Sequence, residues 1–168
     1  MHPVAQRVYR NHKVTTTRLF GFAVSSGPAH DDTIAYLVPA TSIMSQPVIC
    51  VREDVEAPDL LALFAQHRID CIPVVDERGR ASGMITKSDL MEQVRAPWAR
   101  GPIVASSIMV PLELTIEVHA SVADAAALMC AEALHHVAIV GADGVLVGVI
   151  STMDIVRWTA MNDGLVRS

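Results

Sequence analysis

A phrase of seven residues occurs twice in this chain, 65 positions apart and without a gap. Gly83-Met84-Ile85-Thr86-Lys87-Ser88-Asp89 reads glycine, two apolar residues, a hydroxyl, two variable positions and an aspartate. Gly148-Val149-Ile150-Ser151-Thr152-Met153-Asp154 reads the same way, and upstream Ser42-Ile43-Met44 returns as Ser107-Ile108-Met109. A period of this length means one supersecondary unit written twice, and it constrains the fold more than any local preference. At the same offset, segments 41–93 and 106–158 also share Asp59/Asp124, Ala62/Ala127, Leu63/Leu128, Val75/Val140, Gly79/Gly144 and Ile85/Ile150. These positions fall at turns, helix starts and apolar sites, where a common fold demands them.

Local patterns give both halves one order of elements. In the first, Val48–Val51 is a short strand, and Pro58–Arg68 is a helix with its proline in the first turn and Leu60, Leu63 and Phe64 on one face. Cys71–Val75 and Ala81–Ile85 are strands about the turn Asp76–Gly79, and Thr86–Val94 is a helix. In the second, Leu112–Ile116 is a strand, Ser121–Leu134 a helix opened by a Ser121/Asp124 capping box, His136–Val140 and Val145–Ile150 strands, and Thr152–Ala160 a helix. The fold class is therefore α/β (α+β), built from two β-α-β-β-α repeats. A unit this small cannot close its own core, so the copies are expected to pack sheet against sheet with pseudo-twofold symmetry, leaving clefts between them. The chain divides into an N-terminal arm at 1–40, a first repeat at 41–96, a linker at 97–105, a second repeat at 106–160 and a tail at 161–168. Within the arm, His12–Phe22 is β-prone, Ser25–Pro28 reads as a loop, and Ile34–Val38 is a short apolar piece stopped by Pro39. Such an arm packs on the core or on a second subunit, and is partly ordered.

Composition narrows the function. Half of the 168 residues are hydrophobic and 18% are charged, enough for a substantial core. The net charge of −5 and the lack of a basic run argue against nucleic acid. Cys50, Cys71 and Cys130 are widely spaced with no CxxC, which fits a reducing, cytoplasmic setting better than a disulfide framework. Leu19–Ala29 is uncharged but interrupted by Gly21 and Gly27-Pro28, too short to span a bilayer or to read as a signal peptide. No catalytic triad, isolated acidic pair or metal-ligand spacing presents itself, so the chain is expected to be no enzyme and to hold no metal.

Each repeat resembles a CBS (cystathionine-β-synthase-type) domain. The likeness rests on the Ile-Met opening, Ile72-Pro73-Val74-Val75-Asp76, Gly79 and the closing glycine-apolar-isoleucine-hydroxyl-x-x-Asp phrase, and it covers about residues 41–160. Together the repeats are similar to a Bateman module. The resemblance implies an adenosine nucleotide (AMP, ADP or ATP) or related adenosyl ligand held between repeats, and a disc-shaped homodimer.

The closing phrase suits such a ligand. Thr86 and Ser151 sit where strand becomes helix, where free N–H groups and the helix dipole favour a phosphate and a hydroxyl can donate to it. Asp89 and Asp154 would repel phosphate but can accept both hydroxyls of a ribose diol, the role that the resemblance gives them. Thr-x-x-Asp and Ser-x-x-Asp are equally capping-box signatures, which alone would account for all four residues. The copies also differ. The resemblance implies that residues just before the second strand reach the phosphates. These are Asp70-Cys71 in the first repeat and His135-His136 in the second, so the histidine pair is the better receiver of a phosphate, or else an ordinary strand start. Adjacent strand residues point to opposite faces, so the two histidines do not make a shared metal site. Ala138 stands where Pro73 would correspond, and Lys87 is either a phosphate screen or an exposed helix lysine. Ile43, Ile72, Ile108 and Val137 are candidate walls for the base, or simply core. Two functions remain: a ligand sensor that signals by conformational change to a regulated partner, and a ligand-free dimerisation or docking scaffold.

Overall fold

The computed structural model describes residues 7–8, 34–94 and 102–163. In chain order these form β1 (Arg7–Val8), α1 (Ile34–Leu37), β2 (Val51–Arg52), α2 (Ala57–His67), β3 (Cys71–Val75), β4 (Ala81–Thr86) and α3 (Lys87–Val94). There follow α4 (Ala105–Ile108), β5 (Val110–Pro111), β6 (Leu114–Glu117), α5 (Val122–Glu132), β7 (His136–Val140), β8 (Leu146–Ser151) and α6 (Thr152–Asn162). The β-prone stretch His12–Phe22, the loop Ser25–Pro28 and the start of the linker lie outside the described residues.

Two four-stranded sheets result, ordered β2-β3-β4-β5 and β1-β6-β7-β8. Each belongs to one of two compact units, and neither unit is a contiguous half of the sequence. Among the described residues, one unit gathers 47–94, 102–113 and 142–146, and the other 7–8, 34–46, 114–141 and 147–163. Thus the opening segment of each repeat folds with the helix, hairpin and closing helix of the other.

Backbone hydrogen bonds fix this exchange in both units at equivalent positions. Ala57 N–H, the first amide of α2, donates to the Ile103 carbonyl at 2.8 Å, and Ala105 N–H returns to Val55 O at 2.8 Å. In the other unit Val122 N–H, the first amide of α5, donates to Val38 O at 2.9 Å, and Ala40 N–H to Ala120 O at 2.8 Å. The first turn of a helix leaves its amides without internal partners, so these carbonyls satisfy groups that burial would otherwise leave wanting. The Ser-Ile-Met phrase completes the join. Ser42 Oγ–H and Ser107 Oγ–H close their turns onto the Pro39 and Val104 carbonyls, each at 2.7 Å. Ile108 is buried in the core of the first unit, and Ile43 packs on that of the second.

The methionine of that phrase lies against the glycine of the closing phrase. A Cβ placed on Gly83 would come within 2.9 Å of Met109 Cβ and collide with its sulfur; one on Gly148 would meet Met44 in the same way. The space above each glycine is filled by a thioether, whose flexible stem suits an irregular gap.

Helix faces follow their spacing. α2 buries Ala57, Leu60 and Phe64; α5 buries Val122, Ala125, Leu128 and Met129. β3 and β7 bury four of five residues each, the pattern of a strand covered on both faces. α2 and α5 stop one and two residues short of the predicted ends, because Arg68 (φ 52°) and Ala133 (φ 53°) turn left-handed, whereas α6 runs two residues past its predicted end at Ala160. Leu134 N–H then reaches back to Met129 O at 3.0 Å, the Schellman arrangement. The turns keep glycine for a similar reason, with φ of 76° at Gly79 and 81° at Gly144. Asp76 accepts the N–H groups of Arg80 and Arg78 across its turn, at 2.9 and 2.8 Å, and these bonds hold its carboxyl below the ordinary value.

Gly83→Val should destabilise the protein by about 1–3 kcal/mol through overpacking against Met109, seen as a lower urea midpoint and partly restored by adding Met109→Ala. Ala133→Gly should raise stability by about 0.5–1 kcal/mol by relieving the left-handed cap, measured by thermal unfolding.

Candidate functional site

Both closing phrases form the same corner, a strand running straight into a helix. At the first, Asp89 Oδ2 accepts from Thr86 N–H at 2.8 Å and from Thr86 Oγ1–H at 2.6 Å, while Asp89 N–H faces Thr86 Oγ1 at 3.3 Å. At the second, Ser151 and Asp154 repeat these contacts at 2.8, 2.6 and 3.2 Å. Ser121 and Asp124 at the start of α5 make a third such box, at 2.9, 2.8 and 3.1 Å. The arrangement is a capping box with aspartate in the reciprocal place.

This geometry changes what the corners can offer. The hydroxyl proton expected for a phosphate is committed to the neighbouring carboxylate in both copies. The helix start is also more sealed than the motif suggests. Thr152 N–H donates to His135 O at 3.0 Å, Ser151 N–H to Asp154 Oδ2 and Asp154 N–H to Ser151 Oγ. Among the described residues, that leaves the Met153 amide as the one without a partner in this turn. A phosphate here depends on side chains more than on the helix terminus alone.

The second carboxylate oxygen remains available for donors, and here the copies part. Among the described residues Asp89 Oδ1 has no partner, whereas Asp154 Oδ1 lies 3.5 Å from Arg157 Nη1. The position equivalent to Arg157 in the first corner is Glu92, an exposed acid. Lys87 is exposed and its Nζ pairs with Asp70 Oδ1 at 2.7 Å, so its charge is already engaged beside the first corner. His135 is exposed just before β7, and His136 is half-buried at its first residue.

The candidate base walls lie mostly in the core. Ile72 and Val137 are fully buried in their strands, Ile108 is 5% exposed, and Ile43 is half-buried. Ala138, in the place of Pro73, is fully buried as well. Among the described residues no group of three or more His, Cys, Asp or Glu is placed to hold a metal ion, and no helix is long and apolar enough to cross a membrane. Cys50, Cys71 and Cys130 form no disulfide.

Residues 40–96 and 105–160 both match the CBS domain. The chain belongs to the CBS domain family. Among solved structures, this CBS pair is similar to CBSX2 in complex with AMP, at a TM-score of 0.67 and 22% identity over 75% of this chain and 98% of that one. It is equally similar to the CBS domain pair of protein MJ0100 in complex with 5′-methylthioadenosine and S-adenosyl-L-methionine, with TM-score 0.67, 22% identity and coverage of 74% and 98%. At such identities the likeness establishes the fold: two CBS repeats making mixed α/β units. The curated relatives include the inosine-5′-monophosphate dehydrogenase of Methanocaldococcus jannaschii, 35% identical over 57 residues, which are 34% of this chain and 12% of that enzyme. The chain spans a third or less of the first curated relatives it matches.

Two features of the corners escape sequence reasoning: the methionines lying on Gly83 and Gly148, and the Arg157–Asp154 pair. The second had a signal, since the 65-residue register sets Arg157 opposite Glu92. Replacing either hydroxyl, in Thr86→Ala or Ser151→Ala, should lower stability by about 1 kcal/mol, as should Ser121→Ala, measured by urea denaturation.

Proposed function

We propose that this CBS pair is a non-catalytic sensor module that binds an adenosine nucleotide (AMP, ADP or ATP) or a related adenosyl compound at the Thr86/Asp89 and Ser151/Asp154 corners. Binding shifts the module between two conformations, and a regulated partner reads the shift, which requires the ligand to favour one conformation over the other. The observation that carries the reading is a motif carboxylate in each corner with one oxygen held by the cap; among the described residues the other is unpartnered at Asp89 and is faced by the exposed Arg157 at Asp154. A ribose diol supplies two such donors. Family membership supports it, and so do the AMP and methylthioadenosine complexes of neighbours with the same fold. The proposed walls for the base are Ile72 and Ile108 in one unit and Ile43 and Val137 in the other, with His135 and His136 beside the second corner; the proposed setting is cytoplasmic.

Calorimetry on protein stripped of ligand by unfolding and refolding should give binding in the micromolar range for at least one of AMP, ADP and ATP. With these nucleotides and 5′-methylthioadenosine as probes, Asp154→Ala and Asp89→Ala should each lose the binding event of its own corner. Asp124→Ala removes the third capping box at a similar cost in stability and should leave binding intact, which separates capping from recognition. No heat with any adenosine compound would overturn the reading.

One observation favours a docking scaffold. α6 buries none of its residues and leaves Met153, Val156 and Met161 exposed by 60, 56 and 43%. These suit the proposed homodimer. A firm dimer in sedimentation, weakened by Val156→Asp and accompanied by no thermal shift with nucleotides, would decide for the scaffold.

A further inference from the structure

We infer that the residue three positions after the motif aspartate, Arg157 in one unit and Glu92 in the other, sets the charge of the ligand each corner accepts. This rests on the proposed adenosyl binding and names the class at each corner. The Ser151/Asp154 corner takes a nucleotide bearing a 5′ phosphate. The Thr86/Asp89 corner takes an adenosyl compound whose 5′ substituent is neutral or cationic.

The argument begins with what the helix starts can and cannot supply. In both corners the motif hydroxyl gives its proton to the carboxylate, at 2.6 Å. At the second corner the amides of Ser151, Thr152 and Asp154 are also engaged. Discrimination for or against phosphate therefore falls to charged side chains next to the diol-binding carboxylate. Residues three apart on a helix are surface neighbours, so the side chain at this position sits beside the aspartate in either copy.

At the second corner that side chain is Arg157, with its Nη1 3.5 Å from Asp154 Oδ1 and 60% of its side chain exposed. An arginine fork has five donors, enough to keep one on the carboxylate and turn others to a phosphate. A ribose diol arriving at Asp154 competes for the oxygen that Arg157 faces. The phosphate of the same ligand then supplies the guanidinium with a replacement partner. A ligand lacking the phosphate displaces Arg157 without that return. At the first corner helical spacing sets the exposed Glu92 three residues beyond Asp89, on the same side of α3, and Lys87 is drawn to Asp70 at 2.7 Å. A phosphate there meets like charge, whereas a thioether or sulfonium does not.

AMP and 5′-methylthioadenosine differ only in the 5′ group, so they form a matched pair of probes. Calorimetry on the full chain should show that Arg157→Glu weakens AMP binding by about tenfold or more while 5′-methylthioadenosine changes far less. Arg157→Gln should fall between, and Glu92→Arg should strengthen AMP binding or add a second AMP equivalent. Circular dichroism and melting curves on each variant report folding, and the exposed positions are expected to leave it intact. Equal effects on both probes, or none on either, would overturn this inference while leaving adenosyl binding standing. Absence of binding by both probes to the unaltered protein would overturn both readings together.

Discussion

The structure depends on four backbone hydrogen bonds, two in each unit. The carbonyls of Ile103 and Val38 receive the first amides of α2 and α5, and the amides of Ala105 and Ala40 return bonds to Val55 and Ala120. They bind each opening segment to the helix start of the other repeat, so a helix without a side-chain cap, such as α2 at Glu56, still begins cleanly. The same segment then lays Ile43 or Ile108 on a core and a methionine on the glycine of the closing strand. Remove the exchange and two helices lose their first-turn acceptors, two cores lose an isoleucine side and two glycines face empty space.

The closing phrase carries several duties in seven residues. Its glycine admits the methionine, its isoleucine (Ile85 or Ile150) is fully buried, and its hydroxyl and aspartate cap the next helix. Only after these structural roles does a residue of chemistry remain: one oxygen of each aspartate. The α5 box has the same geometry without belonging to a closing phrase, so the cap alone is no mark of a ligand. What distinguishes the corners is the neighbourhood of that oxygen, with an arginine beside Asp154 and an acid at the equivalent place beside Asp89.

The order of strands and helices was legible because hydrophobic spacing survives in each repeat. Leu60 and Phe64 announce the buried face of α2, and the run from Val137 to Val140 announces a covered strand. Helix ends were less legible. Arg68 and Ala133 give no sign of a left-handed turn, and it is the fold around them that imposes it. At the corners, Thr86/Asp89 and Ser151/Asp154 could be read as caps from spacing alone. The commitment of the hydroxyl protons, the sealing of the α6 amides and the reach of Arg157 depend on distances that no spacing encodes.

The sequence by itself determined that one unit is written twice, which elements it contains and which residues start its helices. These are local or periodic properties, and a 65-residue register exposes them without coordinates. Only the tertiary structure decided which copy of each phrase meets which. Ser107-Ile108-Met109 belongs to the second repeat in sequence yet packs on Gly83, and Ser42-Ile43-Met44 packs on Gly148. Because the two copies are so alike, either pairing would satisfy the same pattern of apolar residues. The choice between them rests on chain path and on backbone hydrogen bonds, which main-chain groups make whatever side chains they carry.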